Sequence, residues 1–98
     1  MVKLSITVTV EGRTLALKGR VAWALIELHR AGAMGVTPFD APGPRWSAYI
    51  HALRREHGLD VETVHEPHRG DFPGTHARYI LRSRVDITTA TDLERRAA

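Results

Sequence analysis

Residues 2 to 10 alternate strictly: Val2, Leu4, Ile6, Val8 and Val10 take one face, and Lys3, Ser5, Thr7 and Thr9 the other. A period of two predicts a strand with one buried face, and the β-branched residues suit its pleat. Glu11-Gly12 supplies a turn, and the alternation resumes from Arg13 to Leu17 with Leu15 and Leu17 inward. The first 18 residues therefore predict a β-hairpin.

At Gly19 the period lengthens. Val21, Ala24, Leu25 and Leu28 form one helical stripe, widened by Trp23 and Ile26, which predicts a central helix over 19–31. His29 and Arg30 suit its C-terminal dipole, and Gly32 its closure. Thr37-Pro38 predicts a second helix start, with threonine as cap and proline in the first position. Pro42 and Pro44 then hold that helix to about one turn. Pro44 opens a third helix, reaching to His57. Its buried face carries Trp46, Ile50, Leu53, Tyr49 and His57, and Gly58 closes it. Arg45, Ser47, Ala48, His51, Arg54 and Arg55 fall outside that face.

Leu59 to His65 predicts a strand, with Leu59, Val61 and Thr63 opposed to Asp60, Glu62 and Val64. Residues 66–76 hold two prolines and two glycines and read as a long tip. Ala77 to Arg82 is the returning strand, with Tyr79 and Leu81 alternating against Arg78, Ile80 and Arg82. Residues 83–98 read as a tail. Thr91-Asp92-Leu93-Glu94 has the form of a capping box, but the segment is too short and polar to stand as a helix.

The stretch from Gly19 to Arg82 resembles the small winged-helix proteins of bacterial genomes and prophages. The resemblance is carried by Val21–Ala31, Gly35-Val36-Thr37-Pro38, Arg45-Trp46-Ser47-Ala48-Tyr49-Ile50-His51-Ala52-Leu53-Arg54, Gly58-Leu59-Asp60-Val61-Glu62-Thr63 and Ala77-Arg78-Tyr79-Ile80-Leu81-Arg82. It implies an α+β winged helix-turn-helix fold: a three-helix core with a short second helix, and a C-terminal β-hairpin as the wing. The N-terminal β-hairpin is an addition that either covers a flank or forms a dimer surface. The whole chain is expected to be one domain, with the hairpin at 1–18, the helical core at 19–58, the wing at 59–82 and the tail at 83–98.

Composition narrows the class. Ninety-eight residues suit one domain, and 43% hydrophobic with 26% charged residues is ordinary for a folded protein. There is no cysteine, which excludes disulfides and thiolate metal sites. No apolar run approaches the roughly 20 residues of a membrane helix, and the N-terminus lacks the apolar core of a signal peptide. A cytoplasmic protein without membrane contact is expected. The formal charge of +3 and a pI near 10.0 favour a polyanionic partner without demanding one.

In domains of the kind this chain resembles, the third helix enters the major groove and the wing meets backbone or minor groove. That implies groove-facing roles for Arg45, Ser47, Ala48 and His51, with Arg54 or Arg55 on phosphate. On the wing, His68, Arg69, Thr75, His76 and Arg78 supply donors. Arginine can bond guanine through two N–H groups, serine and histidine suit several acceptors, and the Ala48 methyl suits thymine. The plain alternative for each exposed arginine is a solvated helix face. Arg54 could instead pair with Asp60 or Glu62, and Trp46 and Tyr49 read as core.

His65, His68 and His76 invite a metal, yet Pro67 forbids the helical two-histidine spacing of zinc proteases, so no metal or cofactor is assigned. Neither a phosphate-cradling glycine loop nor a nucleophile set appears, so no enzyme and no small-molecule substrate are expected. The leading expectation is double-stranded DNA binding by a small transcriptional regulator of the prophage or mobile-element type. A homodimer is admissible because one chain spans only about one half-site. The alternatives are a protein-interaction module on the same fold and, more distantly, RNA binding.

Overall fold

The N-terminal alternation becomes a strand in the computed structural model, which describes residues 4–40, 45–68 and 74–90. β1 (Ser5–Val10) buries Ile6, Val8 and Val10 and pairs antiparallel with β2 (Arg13–Lys18), Val8 opposite Leu15 and Val10 opposite Arg13. Glu11 and Gly12 both take positive φ, 48° and 80°. That is the backbone a two-residue hairpin turn needs to match the twist of its strands.

The tail expected from residue 83 is corrected in part. Val85–Ala90 forms β5, which pairs antiparallel with the other edge of β1 and gives the sheet order β2-β1-β5. Its register slips between Thr7 and Val8, and the Thr88 hydroxyl donates to the Thr7 carbonyl at 2.9 Å. The proposed capping box at 91–94 lies outside the described residues.

α1 (Gly19–Ala31) lays Ala22, Ala24, Leu25, Ile26 and Leu28 into the core that β1, Leu17 and Val85 share. A 3-10 turn, Gly32–Met34, follows. Gly35 then sits at φ 71°, and a Cβ there would stand 2.7 Å from the Tyr79 carbonyl oxygen and 2.8 Å from Ile80 Cγ1. Only glycine fits, and its close approach lets Val36 and Tyr79 exchange two backbone bonds of 2.8 Å.

The three-helix core is corrected: the described residues hold two α-helices. At the expected second helix, Asp40 N–H donates to Thr37 Oγ1 at 3.1 Å, and Thr37 N–H to Asp40 Oδ2 at 3.2 Å. This reciprocal pair satisfies both amides within a turn over Pro38–Asp40. Residues 41–44 lie outside the description.

α2 (Trp46–Arg55) begins after Arg45, which stands at φ 69° as its N-cap, rather than at Pro44. It ends at Arg55, short of His57. Gly58 at φ 66° turns the chain so that Leu59 N–H reaches the Leu53 carbonyl at 3.0 Å, and both leucines are buried. The bond spans six residues, one more than the closing bond of a Schellman motif.

β3 (Val61–His68) and β4 (Gly74–Leu81) form an antiparallel hairpin, with Glu66 opposite His76 and Pro67 opposite Thr75. The strands run deeper into the expected tip because β3 is an edge strand, where proline withdraws no ladder bond. Trp46 joins the helices to this hairpin. Its ring lies 5.2 Å from Trp23 and 6.1 Å from Tyr79, the latter nearly parallel at 20°.

Candidate nucleic-acid interface

α2 is amphipathic by spacing. Trp46, Ile50, Ala52 and Leu53 are buried, while Ser47, Ala48, His51, Arg54 and Arg55 are exposed. At about 100° per residue, those five exposed positions span roughly a third of the helix circumference. Arg45 is exposed at the N-terminal end of the same helix. Among the described residues, no ion pair or side-chain hydrogen bond holds Arg45, Ser47, His51 or Arg55.

Arg54 is held, but by neutral partners. Its Nε donates to the Val61 carbonyl at 2.9 Å, its Nη2 donates to the same oxygen, and Nη2 also donates to Thr63 Oγ1 at 2.7 Å. The expected alternative, pairing with Asp60 or Glu62, gives way to these contacts. Helix and strand are still joined, yet the positive charge is not cancelled.

Strand alternation assigns the two faces of the hairpin. Val61, Thr63, His65, Thr75, Ala77 and Tyr79 share the face toward α2, as the Thr63–Arg54 bond and the Tyr79–Trp46 stack establish. Glu62, Val64, Glu66, His76, Arg78 and Ile80 take the opposite face.

On that opposite face the cations are matched by acids. Arg78 Nη2 and Nε donate to Glu66 at 2.8 and 3.0–3.1 Å, its Nη1 donates to the Met34 carbonyl at 2.9 Å, and Asp40 lies 3.7 Å away. His76 Nε2 stands 2.8 Å from Glu66 Oε1. The hydrogen bonds from Arg78, then from His76, lower the Glu66 carboxyl from 4.5 to about 2, and Glu66 raises the Arg78 guanidinium in return. Arg82 Nε donates to Glu62 at 2.8 Å.

The sequence-derived candidates thus divide. Ser47, Ala48, His51, Arg54 and Arg55 share one exposed side of α2, Arg45 is exposed at its N-terminal end, and exposed Thr75 lies on the hairpin face toward α2. His76 and Arg78 do not join them, because parity turns them away and Glu66 engages both. The His68 side chain and Arg69 lie outside the described residues. Thr63 and His65 share the α2 side and were not among the candidates; the parity of Val61 and Tyr79 is the signal that finds them. His65 and His76 occupy opposite faces, so this pair does not converge on one ion. Trp46 is buried as core, and Tyr49 is half-buried.

No curated protein and no solved structure matches the chain. A family model described as a winged helix domain matches residues 14–91, a span from β2 to just past β5. By that match, the chain belongs to the winged helix domain family.

Proposed function

We propose that this winged helix domain binds double-stranded DNA, with α2 in the major groove and the hairpin as a wing beside it. The observation that carries the reading is one of charge. Arg45, Arg54 and Arg55 gather at α2 with their charges unmatched by any ion pair among the described residues, on a helix otherwise small and polar outside. A helix of this size fits the major groove, and arginine and serine are the donors that base edges and phosphates accept. We extend the reading to a cytoplasmic transcriptional regulator of prophage or mobile-element type, acting by binding rather than catalysis, with a homodimer as the means of covering a full site. The extension is supported by the family resemblance and by half-site geometry.

Titration against randomised duplex DNA at two salt concentrations tests this. Affinity should fall with salt at a log–log slope of about two or more, since each neutralised phosphate contributes about 0.9. Duplex RNA should compete poorly. A salt-insensitive interaction, or equal competition by RNA, defeats the proposal.

One observation favours the second reading, a protein-interaction module. Met34 is 76% exposed and borders an open cavity of about 400 Å³, lined also by Glu27, Arg30 and Asp40. A specific protein partner that survives nuclease treatment, with no duplex binding, would select that reading instead.

A further inference from the structure

We infer that Thr63 is a positioning residue that confines Arg54 to a phosphate contact, so that Arg54 contributes affinity and not base choice. The inference rests on the DNA-binding reading and deepens it by dividing labour among the arginines of α2.

The argument is a count of donors. A guanidinium carries five N–H groups: one on Nε, two on Nη1 and two on Nη2. Arg54 commits Nε and one hydrogen of Nη2 to the Val61 carbonyl, and the other hydrogen of Nη2 to Thr63 Oγ1. Reading guanine takes two donors side by side, and both such edges of a guanidinium include Nη2. Each edge is therefore spent on the protein. What remains is Nη1 alone, a two-hydrogen donor on one atom, which suits a phosphate oxygen approached from many directions.

The charge survives this fixation, because a carbonyl and a hydroxyl are neutral acceptors. Arg78 differs on that point, since its acceptors include the Glu66 carboxylate. A preorganised cation binds phosphate without losing side-chain freedom at the moment of contact. Arg45 and Arg55, whose donors are engaged by no side chain among the described residues, are left as the arginines able to choose a base.

The test compares the wild-type chain with Arg54→Ala, Thr63→Val, Thr63→Ser and the double variant Arg54→Ala/Thr63→Val. Each is titrated against randomised duplex DNA at two salt concentrations, with selected sequences read out and thermal unfolding measured in parallel. Arg54→Ala should weaken all sequences alike by about tenfold and reduce the salt slope by about one. Thr63→Val keeps the side-chain shape but frees Nη2. It should cost a few-fold in affinity, leave the slope in place and add a new guanine preference at one position. Thr63→Ser should restore the wild-type profile, and Thr63→Val should add nothing in the Arg54→Ala background. Should Arg54→Ala prove unfolded, Arg54→Lys replaces it, keeping the slope while losing the Thr63 dependence.

The inference is overturned if Arg54→Ala relaxes preference at one base position with the slope unchanged, or if Thr63→Val matches wild type in affinity and preference. In those cases DNA binding itself still stands. If the wild-type chain shows no salt-dependent duplex binding, the underlying reading fails and takes this one with it.

Discussion

α2 and the β3–β4 hairpin both present arginine to solvent, and they treat it differently. The helix carries Arg45, Arg54 and Arg55 against the single acid Glu56 that follows them. The described part of the hairpin and its exit set Arg78 and Arg82 against Glu66 and Glu62, with Asp40 also beside Arg78. A cation with a neutral partner stays available to a polyanion, whereas one with a carboxylate partner has to break a bond first. The comparison teaches that a basic sequence is not a basic surface, and that the hairpin, as described, stabilises the domain while the helix offers the charge.

The largest expected effect breaks the comparison directly. The triple variant Arg45→Ala/Arg54→Ala/Arg55→Ala should lose duplex affinity on the order of 100-fold. The charge-conserving pair Glu66→Gln/Arg78→Gln should stay within about threefold of wild type in the same titration. If the two sets weaken binding equally, the division between helix and hairpin is wrong.

Next comes the link between the regions. Gly35→Ala drives a Cβ into the Tyr79 carbonyl at a positive φ, and should cost about 2 kcal/mol or more by chemical denaturation. A change near zero would mean that the Val36–Tyr79 bridge does not fix the hairpin to the core.

A smaller effect separates stability from binding within one residue. Arg45 holds a left-handed backbone that glycine adopts freely. Arg45→Gly should therefore stabilise the fold by about 0.5–1 kcal/mol while weakening DNA binding. Loss of stability on this substitution would remove the case for strain at the start of α2.

The gentlest test is pH. Glu66 titrates near 2 in the folded chain instead of 4.5, so its ion pair contributes in full above about pH 4.5 and is lost as pH falls toward 2. Denaturation midpoints should decline across that window in the wild type and more shallowly in Glu66→Gln. Equal slopes would show that folding does not lower the Glu66 carboxyl.

Much of this was legible in the sequence, and the remainder was hidden for identifiable reasons. The β1 alternation, the α1 stripe and the exposed side of α2 are local periodicities, and they held because each is decided within a few residues. Thr37 and Asp40 carry sound helix-start chemistry, yet among the described residues they bond each other in a turn. β5 escaped because Val85-Asp86-Ile87-Thr88 alternates only briefly and its partner is β1, at the far end of the chain. The Glu66–Arg78 pair was invisible for another reason. Assigning residues 66–76 to a loop dissolved the register that sets Glu66 opposite His76 and diagonal to Arg78. Of the candidate site, α2 was readable because a helix displays its outer side by spacing alone, whereas a hairpin's faces depend on where pairing begins.

β1 is the middle strand of its sheet, with a partner two residues away on one flank and another across nearly the full chain on the other. The Thr88–Thr7 contact closes a separation of 81 residues. Loop-closure entropy weighs against such a contact until the segments between have collapsed. The β1–β2 hairpin and the α1–α2 pair can therefore assemble early from near neighbours, leaving β5 to dock last. The exposed side of α2 and its Arg54 contacts belong to the portion joined over shorter separations, so the helix proposed to meet DNA need not wait for the late-closing seam.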